Sequence, residues 1–502
     1  MGWVFLTAGV VAIVVFVSIV ALHDITQKKH TILRNFPVVG RMRYLLERFG
    51  PEMRQYFVAM NDEELPFSRD ERTWVYASAK GQNSLAGFGT DNDVEGSPNY
   101  VILRHATFPY AYGGDSDVVS CAKVLGGARE RRHAFRPESI INTSAMSYGS
   151  LSHAAVRAIN TGANLAGCLQ NTGEGGIAPH HDHGGGLIWQ IGTGYFGCRN
   201  KDGSFDLGML KDRVERFNIR ALEVKLSQGA KPGKGGVLPG SKVTREIADI
   251  RGVPLGETVY SPAHHSAFND ASSLLDFVEM LAEQTGLPVG IKSAVGQTDF
   301  WDDLAQLIDT TNRSVDHIQI DGGEGGTGAA PMSFADHVSL PFKQGFPEVY
   351  RRFAEHGVHN DIVWIGSGKL GFPIPGLLAM AMGCDMIAVA REAMLSIGCI
   401  QAQKCHTGHC PTGVATNKPW LVRGLDPTLK AARFANYVKT LRKEMLELSH
   451  AVGVGHPALL RLEHFEILND RLGRKNALDL FGYSPTWTRT NAKSLRDAGL
   501  IH

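Results

Sequence analysis

The sequence predicts an α/β protein: a (β/α)8 TIM barrel preceded by an N-terminal transmembrane helix and followed by a helical C-terminal extension. Three observations predict it. Between residues 140 and 390, short β-rich runs alternate with helical stretches eight times, and eight alternations over about 250 residues match such a barrel in count and length. Residues 3–22 are uncharged and mostly apolar. After Trp420, apolar residues recur at three- and four-residue spacings. The expected segments are a transmembrane helix at 3–22, a membrane-proximal and lead-in region at 23–138, the barrel with a cysteine-rich loop at 139–420, and the extension at 421–502.

A helix of twenty residues rises roughly 30 Å, the hydrocarbon thickness of a bilayer. A cleaved signal peptide would carry a basic start and a shorter apolar run, yet no Lys or Arg precedes Leu22. Lys28, Lys29, Arg34, Arg41 and Arg43 follow the run, so the positive-inside rule places the remainder in the cytoplasm, behind a single-pass anchor. Residues 30–60 are basic and mildly amphipathic, suited either to a membrane surface or to packing on the protein body. Residues 67–138 mix short apolar runs with Gly and Pro and carry no assignable chemistry.

The candidate strands are 141–147, 168–172, 187–191, 221–226, 289–292, 317–320, 362–365 and 386–390, with helices such as 272–284 and 301–308 in the gaps. A doubly wound sheet is the alternative. It is disfavoured because no strand leads into a Gly-x-Gly-x-x-Gly helix start. In the tail, Phe434, Val438, Leu441, Met445 and Leu448 form one helical packing face.

Net charge is +1 with no basic stripe, which argues against a nucleic-acid partner. The 57 glycines cluster in short loops, as expected where backbone closely approaches a ligand. Cys121, Cys168, Cys198 and Cys384 are dispersed and form no disulfide framework. Cys399, Cys405 and Cys410 fall within twelve residues, with Pro411 after the last. Close, uneven thiols with a Cys-Pro ending suit iron–sulfur ligation, and three of them suit a three-iron cluster. Zinc completed by His406 or His409, and free thiols, are the alternatives.

A barrel places its active site at the C-terminal ends of its strands, and those ends are polar here. They include Ser144-Ala-Met146-Ser147-Tyr148-Gly149, Asn171-Thr-Gly-Glu174-Gly-Gly176, Gln228-Gly-Ala-Lys231-Pro-Gly233, Lys292 and Asp321-Gly322-Gly323-Glu324-Gly-Gly-Thr327-Gly328. Gly366-Ser367-Gly368 and Ala390-Arg391 follow the seventh and eighth strands, where barrels bind phosphate through loop N–H groups. A phosphate-bearing cofactor is the functional reading. Lys292 suits the N1–C2=O edge of a flavin, where a cation stabilises the anionic reduced ring. Lys231 and Arg251 suit the carboxylates of an acidic substrate, and Glu174 an amine. His180, His181 and His183 sit in a row without a helix to align them and read as a polar loop.

These motifs, taken in order with Cys399-x5-Cys405-x4-Cys410-Pro411, resemble the FMN-binding synthase domain of glutamate synthase from about residue 95 to 485. The resemblance implies FMN on the barrel, a [3Fe–4S] cluster on Cys399, Cys405 and Cys410, and reductive amination of 2-oxoglutarate through a 2-imino acid. It implies oxoacid contacts from Glu174, Lys231 and Arg251. It also implies flavin contacts from Ser144, Met146, Ser147, Asn171, Gln228, Lys292, Gly322, Gly323, Gly366, Gly368 and Arg391. The chain departs from the family at Val237, where members carry a substrate-contacting Gln. It begins with Met1 and an apolar run rather than a catalytic cysteine, and shows no NAD fingerprint. Nitrogen would therefore come from solution or a partner, and electrons from a ferredoxin-like protein, a reductase subunit or, in the reverse sense, membrane quinone. Dehydrogenation of an amino or hydroxy acid towards quinone, and a non-catalytic anchored scaffold, are the alternative functions; a homo-oligomer is compatible with either.

Overall fold

The computed structural model describes residues 2–82, 85, 87–111, 117–469, 472–487 and 490–501. The chain separates into two compact units, Met1–Thr73 and Trp74–His502. The larger unit takes in the lead-in region from Trp74, the barrel and the tail together.

Eight parallel strands close the barrel in sequence order: β1 (Ile141–Thr143), β2 (Gln170–Asn171), β3 (Leu187–Ile191), β4 (Ile219–Lys225), β5 (Val289–Ser293), β6 (His317–Asp321), β7 (Val363–Ser367) and β8 (Met386–Val389). All eight expected strands are present. β1 is shorter than its apolar run because the chain bends into the mouth after Thr143, where Ser144 N donates to Val389 O at 2.8 Å. The helices between strands start and stop on local signals. Ser152 caps His153–Ala166 by accepting from Ala155 N at 3.2 Å, and Gly167 ends that helix with a left-handed φ of 65°.

The lead-in segment, which carries no visible chemistry in sequence, closes one end of the barrel. Leu125 and Phe135 form an antiparallel bridge, and Cys121 and Leu125 are buried against Leu169, Ile188, Ala221, Val363 and Met386 at the strands' N-terminal ends. The amphipathic tail helix, Pro427–Val452, buries Phe434, Val438, Leu441 and Met445, while Leu448 is half-buried. Beyond it the tail turns from helix to strand. Phe465–Leu468 pairs antiparallel with Val101–Leu103 on one side and Arg474–Asn476 on the other.

In the smaller unit, Gly2–Thr26 is one helix whose Phe5–Thr26 stretch has a mean hydropathy of 2.8 and is exposed along its apolar run, with Asp24 near its end the buried exception. It is long and apolar enough to cross a bilayer. Thr31–Asn35 and Gly40–Met53 follow as helices.

The tail helix meets His153–Ala166 at close range through Gly162, where an added Cβ would lie 2.6 Å from Ala431 O and 2.8 Å from Phe434 Cδ1. Gly162→Ala is therefore expected to destabilise the larger unit. Overpacking costs about 1–3 kcal/mol, against the roughly 1 kcal/mol that alanine gains over glycine in a helix. Thermal unfolding would register a lowered Tm, and an unchanged or raised Tm would contradict this packing.

Candidate active site

The C-terminal ends of the strands surround an open cavity of about 570 Å³. Its wall includes Ser144, Ser147, Glu174, Gln190, Lys225, Gln228, Lys292, Asp321, Gly325, Gly326, Ser367, Gly368, Lys369 and Arg391. A second cavity of about 290 Å³, lined by Thr193, Lys234, Gly235, Gly236 and Pro262, shares Glu174, Lys225 and Gln228 with the first.

The floor is a buried polar layer. Glu223 on β4 is fully buried and accepts from Asn171 Nδ2 at 2.8 Å and Gln190 Nε2 at 2.7 Å, with His317 Nε2 at 3.7 Å. Burial opposes its ionisation, but His317 and Lys292 outweigh that and hold its carboxyl below the usual range. On β5, Lys292 Nζ lies 3.5 Å from Asp321 Oδ2 and 3.4 Å from Ser144 Oγ. Asp321 also accepts from Ser367 Oγ at 2.7 Å and Gly229 N at 2.9 Å. Gln319 ties the rim together, donating to Ser144 Oγ at 3.2 Å and Ser367 Oγ at 3.0 Å.

Above the floor, Lys225 Nζ bridges Glu174 Oε1 at 2.8 Å and Gln228 Oε1 at 2.7 Å. Burial works against the Glu174 charge, yet Lys225, then Lys231 and Arg251, keep its carboxyl below the ordinary value. Glu174 fits only because its neighbours lack side chains. An added Cβ at Gly236 would lie 2.5 Å from its Oε1, and one at Gly192 would lie 2.7 Å from its Cβ. The end of β4 is braced from outside by His265, whose Nε2 is 2.9 Å from Lys225 O and whose Nδ1 is 3.1 Å from Tyr195 Oη. Burial lowers His265 to about 4, so it is neutral at pH 7. The partners then assign the proton to Nε2, with Nδ1 accepting from the tyrosine.

Lys231 and Arg251 are buried behind Glu174 and outside the cavity wall. Lys231 Nζ donates to Ala329 O at 2.8 Å, and burial followed by the Lys225 charge lowers it to about 8. Arg251 Nη2 donates to Tyr148 O at 2.9 Å, and its guanidinium carbon stands 5.1 Å from the Phe196 ring centroid. Its Nε is buried without a hydrogen-bond partner, and burial lowers the group to about 10. An unsatisfied buried guanidinium donor suits an anion.

Of the expected cofactor contacts, Ser144, Ser147, Gln228, Lys292, Gly368 and Arg391 line the main cavity; Met146, Asn171, Gly322, Gly323 and Gly366 do not. Asn171 is spent on Glu223, Gly322 N donates to Ser367 O at 2.8 Å and Gly323 N to Leu340 O at 2.8 Å. Gly366 is buried within β7. Gly325 and Gly326 take the place of Gly322 and Gly323 on the wall. Lys225 joins the site although the sequence motifs do not mark it as functional; its position as the last residue of β4 is the one signal for it. Val237 is half-buried and pairs with Tyr260 in a two-stranded ladder. The histidine row is structural: His181 Nδ1 accepts from Ala178 N at 3.0 Å, and His180 Nε2 lies 3.0 Å from Glu246.

Cys399, Cys405 and Cys410 share one loop. Gln401 N donates to Cys399 Sγ at 3.4 Å, and Cys405 and Cys410 both feel the buried Lys242, whose Nζ donates to Cys405 O at 3.2 Å. Burial and the neighbouring Cys410 raise the Cys405 thiol. Three soft donors in one loop suit iron in type. Among the described residues, however, no three Cys, His, Asp or Glu side chains converge into a group that could hold a metal ion.

A closed (β/α)8 barrel with paired buried charges at its strand ends defines a barrel enzyme. A family model for the conserved region in glutamate synthase matches residues 121–455, and the chain belongs to that family. It is 37% identical to the glutamate synthase large subunit-like protein YerD of Bacillus subtilis, over 91% of this chain and 93% of that protein. It is 36% identical to an archaeal glutamate synthase [NADPH] of Methanocaldococcus jannaschii, over 63% of this chain but 59% of that protein. Among solved structures, a flavocytochrome b2 variant with benzoylformate is similar with a TM-score of 0.46 and 12% identity, over 93% of this chain and 98% of that one. By family, the chain is a glutamate-synthase-like oxidoreductase.

Gly236→Ala would push Glu174 off Lys225, and misplacement of about 1 Å at such a site costs about 10²-fold in turnover. Gly296→Ala, where a Cβ meets nothing within 4 Å, is the control. Steady-state kinetics would show the first slowed with Tm nearly unchanged and the second unaffected. Equal turnover in both would remove Glu174 placement from the mechanism.

Proposed function

We propose that this chain is a membrane-anchored, FMN- and iron–sulfur-dependent oxidoreductase that reductively aminates 2-oxoglutarate or a related α-keto acid. The carrying observation is the buried Glu174 carboxylate at the mouth, which accepts from Lys225 Nζ at 2.8 Å and is further held ionised by the charges of Lys231 and Arg251. On this reading residues 3–22 span the membrane and the barrel works in the cytoplasm, with electrons from a ferredoxin-like protein or reductase subunit. Family membership and the polar, glycine-rich wall of the main cavity support FMN.

When bound, reduced FMN supplies hydride to the imino carbon. Lys292 would stand at the polar edge of its ring, and Gly368, Lys369 and Arg391 would hold its phosphate. Lys231 and Arg251 supply positive charge for the substrate carboxylates. Glu174, kept ionised by its cationic neighbours, supplies the negative charge that favours a protonated imine or an incoming ammonium. Lys225, fixed by Glu174 and Gln228, presents a cationic donor to both cavities. Cys399, Cys405 and Cys410 are the residues that would hold a [3Fe–4S] cluster when the loop gathers on iron.

The reverse electron flow, from an amino or hydroxy acid to membrane quinone, is favoured by one observation, the exposed apolar helix Gly2–Thr26. Anaerobic spectroscopy separates the two. Synthase chemistry predicts that 2-oxoglutarate with ammonium reoxidises the reduced flavin. The reverse reading predicts bleaching by an amino or hydroxy acid and reoxidation by quinone in liposomes. Cys405→Ser is expected to lose iron and the brown absorbance while retaining yellow flavin; unchanged iron content would sink the cluster assignment.

Lys231 is a cation below about pH 8 and neutral above it. Its contribution to carboxylate binding is present below that pH and is lost as pH rises through it. The Kd for 2-oxoglutarate should therefore rise above pH 8, approaching about tenfold per pH unit. Lys231→Arg should move the limb to higher pH and Lys231→Met abolish it. A titration by flavin absorbance with the same limb in Lys231→Met would refute the role.

A further inference from the structure

The membrane-proximal unit is amphipathic the wrong way round for a water-soluble fold. Met42, Leu45, Leu46, Phe49, Met53 and Phe57 lie on one stripe, about 120° wide at about 100° per residue. Every one of them is exposed, Leu46 by 64% and Phe57 by 78%. The opposite side of the same helix, Gly40–Met53, is the side turned to its own unit. Tyr44 stacks edge-on with His30 at 5.0 Å, and an added Cβ at Gly40 would lie 3.1 Å from Ile32 O. Arg43, Arg48 and Arg54 flank the stripe and are exposed.

The orientation of this helix is fixed at the end of the apolar one. Asp24 is completely buried and accepts from Arg41 Nε at 3.0 Å, Arg41 Nη2 at 2.6 Å and Val38 N at 3.0 Å. Gln27 closes the intervening turn by donating to His30 O at 2.7 Å and accepting from His30 N at 2.8 Å. The clasp lies at the end of the helix with the 2.8 hydropathy stretch, two residues beyond the uncharged run.

We infer that Gly40–Met53 and the turn Arg54–Val58 form an interfacial helix that lies in the lipid leaflet beside the end of the 3–22 span, with Asp24–Arg41 as the corner that lays it there. This rests on the proposed reading of residues 3–22 as a span. The occupant of the stripe is the acyl-chain boundary of that leaflet. A span delivers the clasp to that depth, the stripe faces away from the rest of its unit, and the flanking arginines match anionic headgroups.

The test uses the full chain reconstituted into vesicles of phosphatidylcholine, brominated on its acyl chains, mixed with phosphatidylglycerol. Leu46→Trp and Glu47→Trp are each compared with the parent, whose seven tryptophans form the common background. The added fluorescence at 46 should fall about two-fold or more in brominated over unbrominated lipid, with little change at 47. Arg41→Gln should lessen quenching at 46 while the protein stays resistant to carbonate extraction. No quenching at 46 in carbonate-resistant protein would overturn the inference while the span survives, the stripe then facing water, a protein partner or a second copy. Equal quenching at 46 and 47 would overturn it equally. Extraction by carbonate would overturn the span and the interfacial helix together.

Discussion

Charge buried at the mouth of the barrel must be paired, and that requirement shapes the site around it. Breaking one partner from such a pair costs about 3–5 kcal/mol, so the pairs are held by several bonds each. Lys292 has Asp321 and Ser144, Lys225 has Glu174 and Gln228, and Glu223 has Asn171 and Gln190. The paired side chains then fill the space that neighbouring side chains would need. Glycine at 192 and 236 is the consequence, while glycine at 229 answers to backbone, where an added Cβ would lie 1.8 Å from Gly322 O. The glycine-rich loops serve the protein's own carboxylates and backbone as much as any ligand.

The two ends of the barrel divide the labour that results. The N-terminal ends meet a dry plug made from Cys121, Leu125 and Phe135, which contributes burial and no chemistry. The C-terminal ends carry the charges, braced from outside by His265, neutral through burial, which with Tyr195 holds the end of β4 through hydrogen bonds. A positive brace there would have competed with Lys225 for Glu174. Keeping the imidazole neutral by burial leaves the carboxylate to the lysines and the arginine.

The barrel was legible because its strands are buried on both faces and read as apolar runs, and because the polar turns mark where each run ends. The tail helix was legible from its packing stripe. What sequence did not show follows from side-chain direction. Asn171 and Gly325 lie in equally polar motifs, yet one faces the sealed floor and the other the cavity wall. Only closure of the strands decides between them. Lys225 read as the continuation of a strand because its function depends on Glu174, fifty-one residues away. The strands at Val101–Leu103 and Phe465–Leu468 are short, and the first pairs with a segment far along the chain, so no local period announced them. The three cysteines marked a loop, and among the described residues they do not converge into a group that could hold a metal ion.

On the proposed function, the departure from the family at Val237 bears on selectivity more than on turnover. Where the family resemblance implies a Gln, the half-buried Val237 offers no side-chain hydrogen bond, its strand being paired with Tyr260. A site that hydrogen-bonds a substrate group rejects an analogue lacking that group by about 10⁴–10⁵-fold, whereas an apolar contact rejects little, typically about 10–200-fold per methylene. Exchanging the amide for an isopropyl group therefore removes a filter and leaves the charges of Lys231, Arg251 and Glu174 in place. Val237 itself lines neither cavity, standing next to Gly236 on the wall of the second, so on the proposed function the oxoacid is still chosen for its carboxylates. On that proposed function, the substrate is an α-keto acid whose polar contacts are concentrated at Glu174 and the three cations.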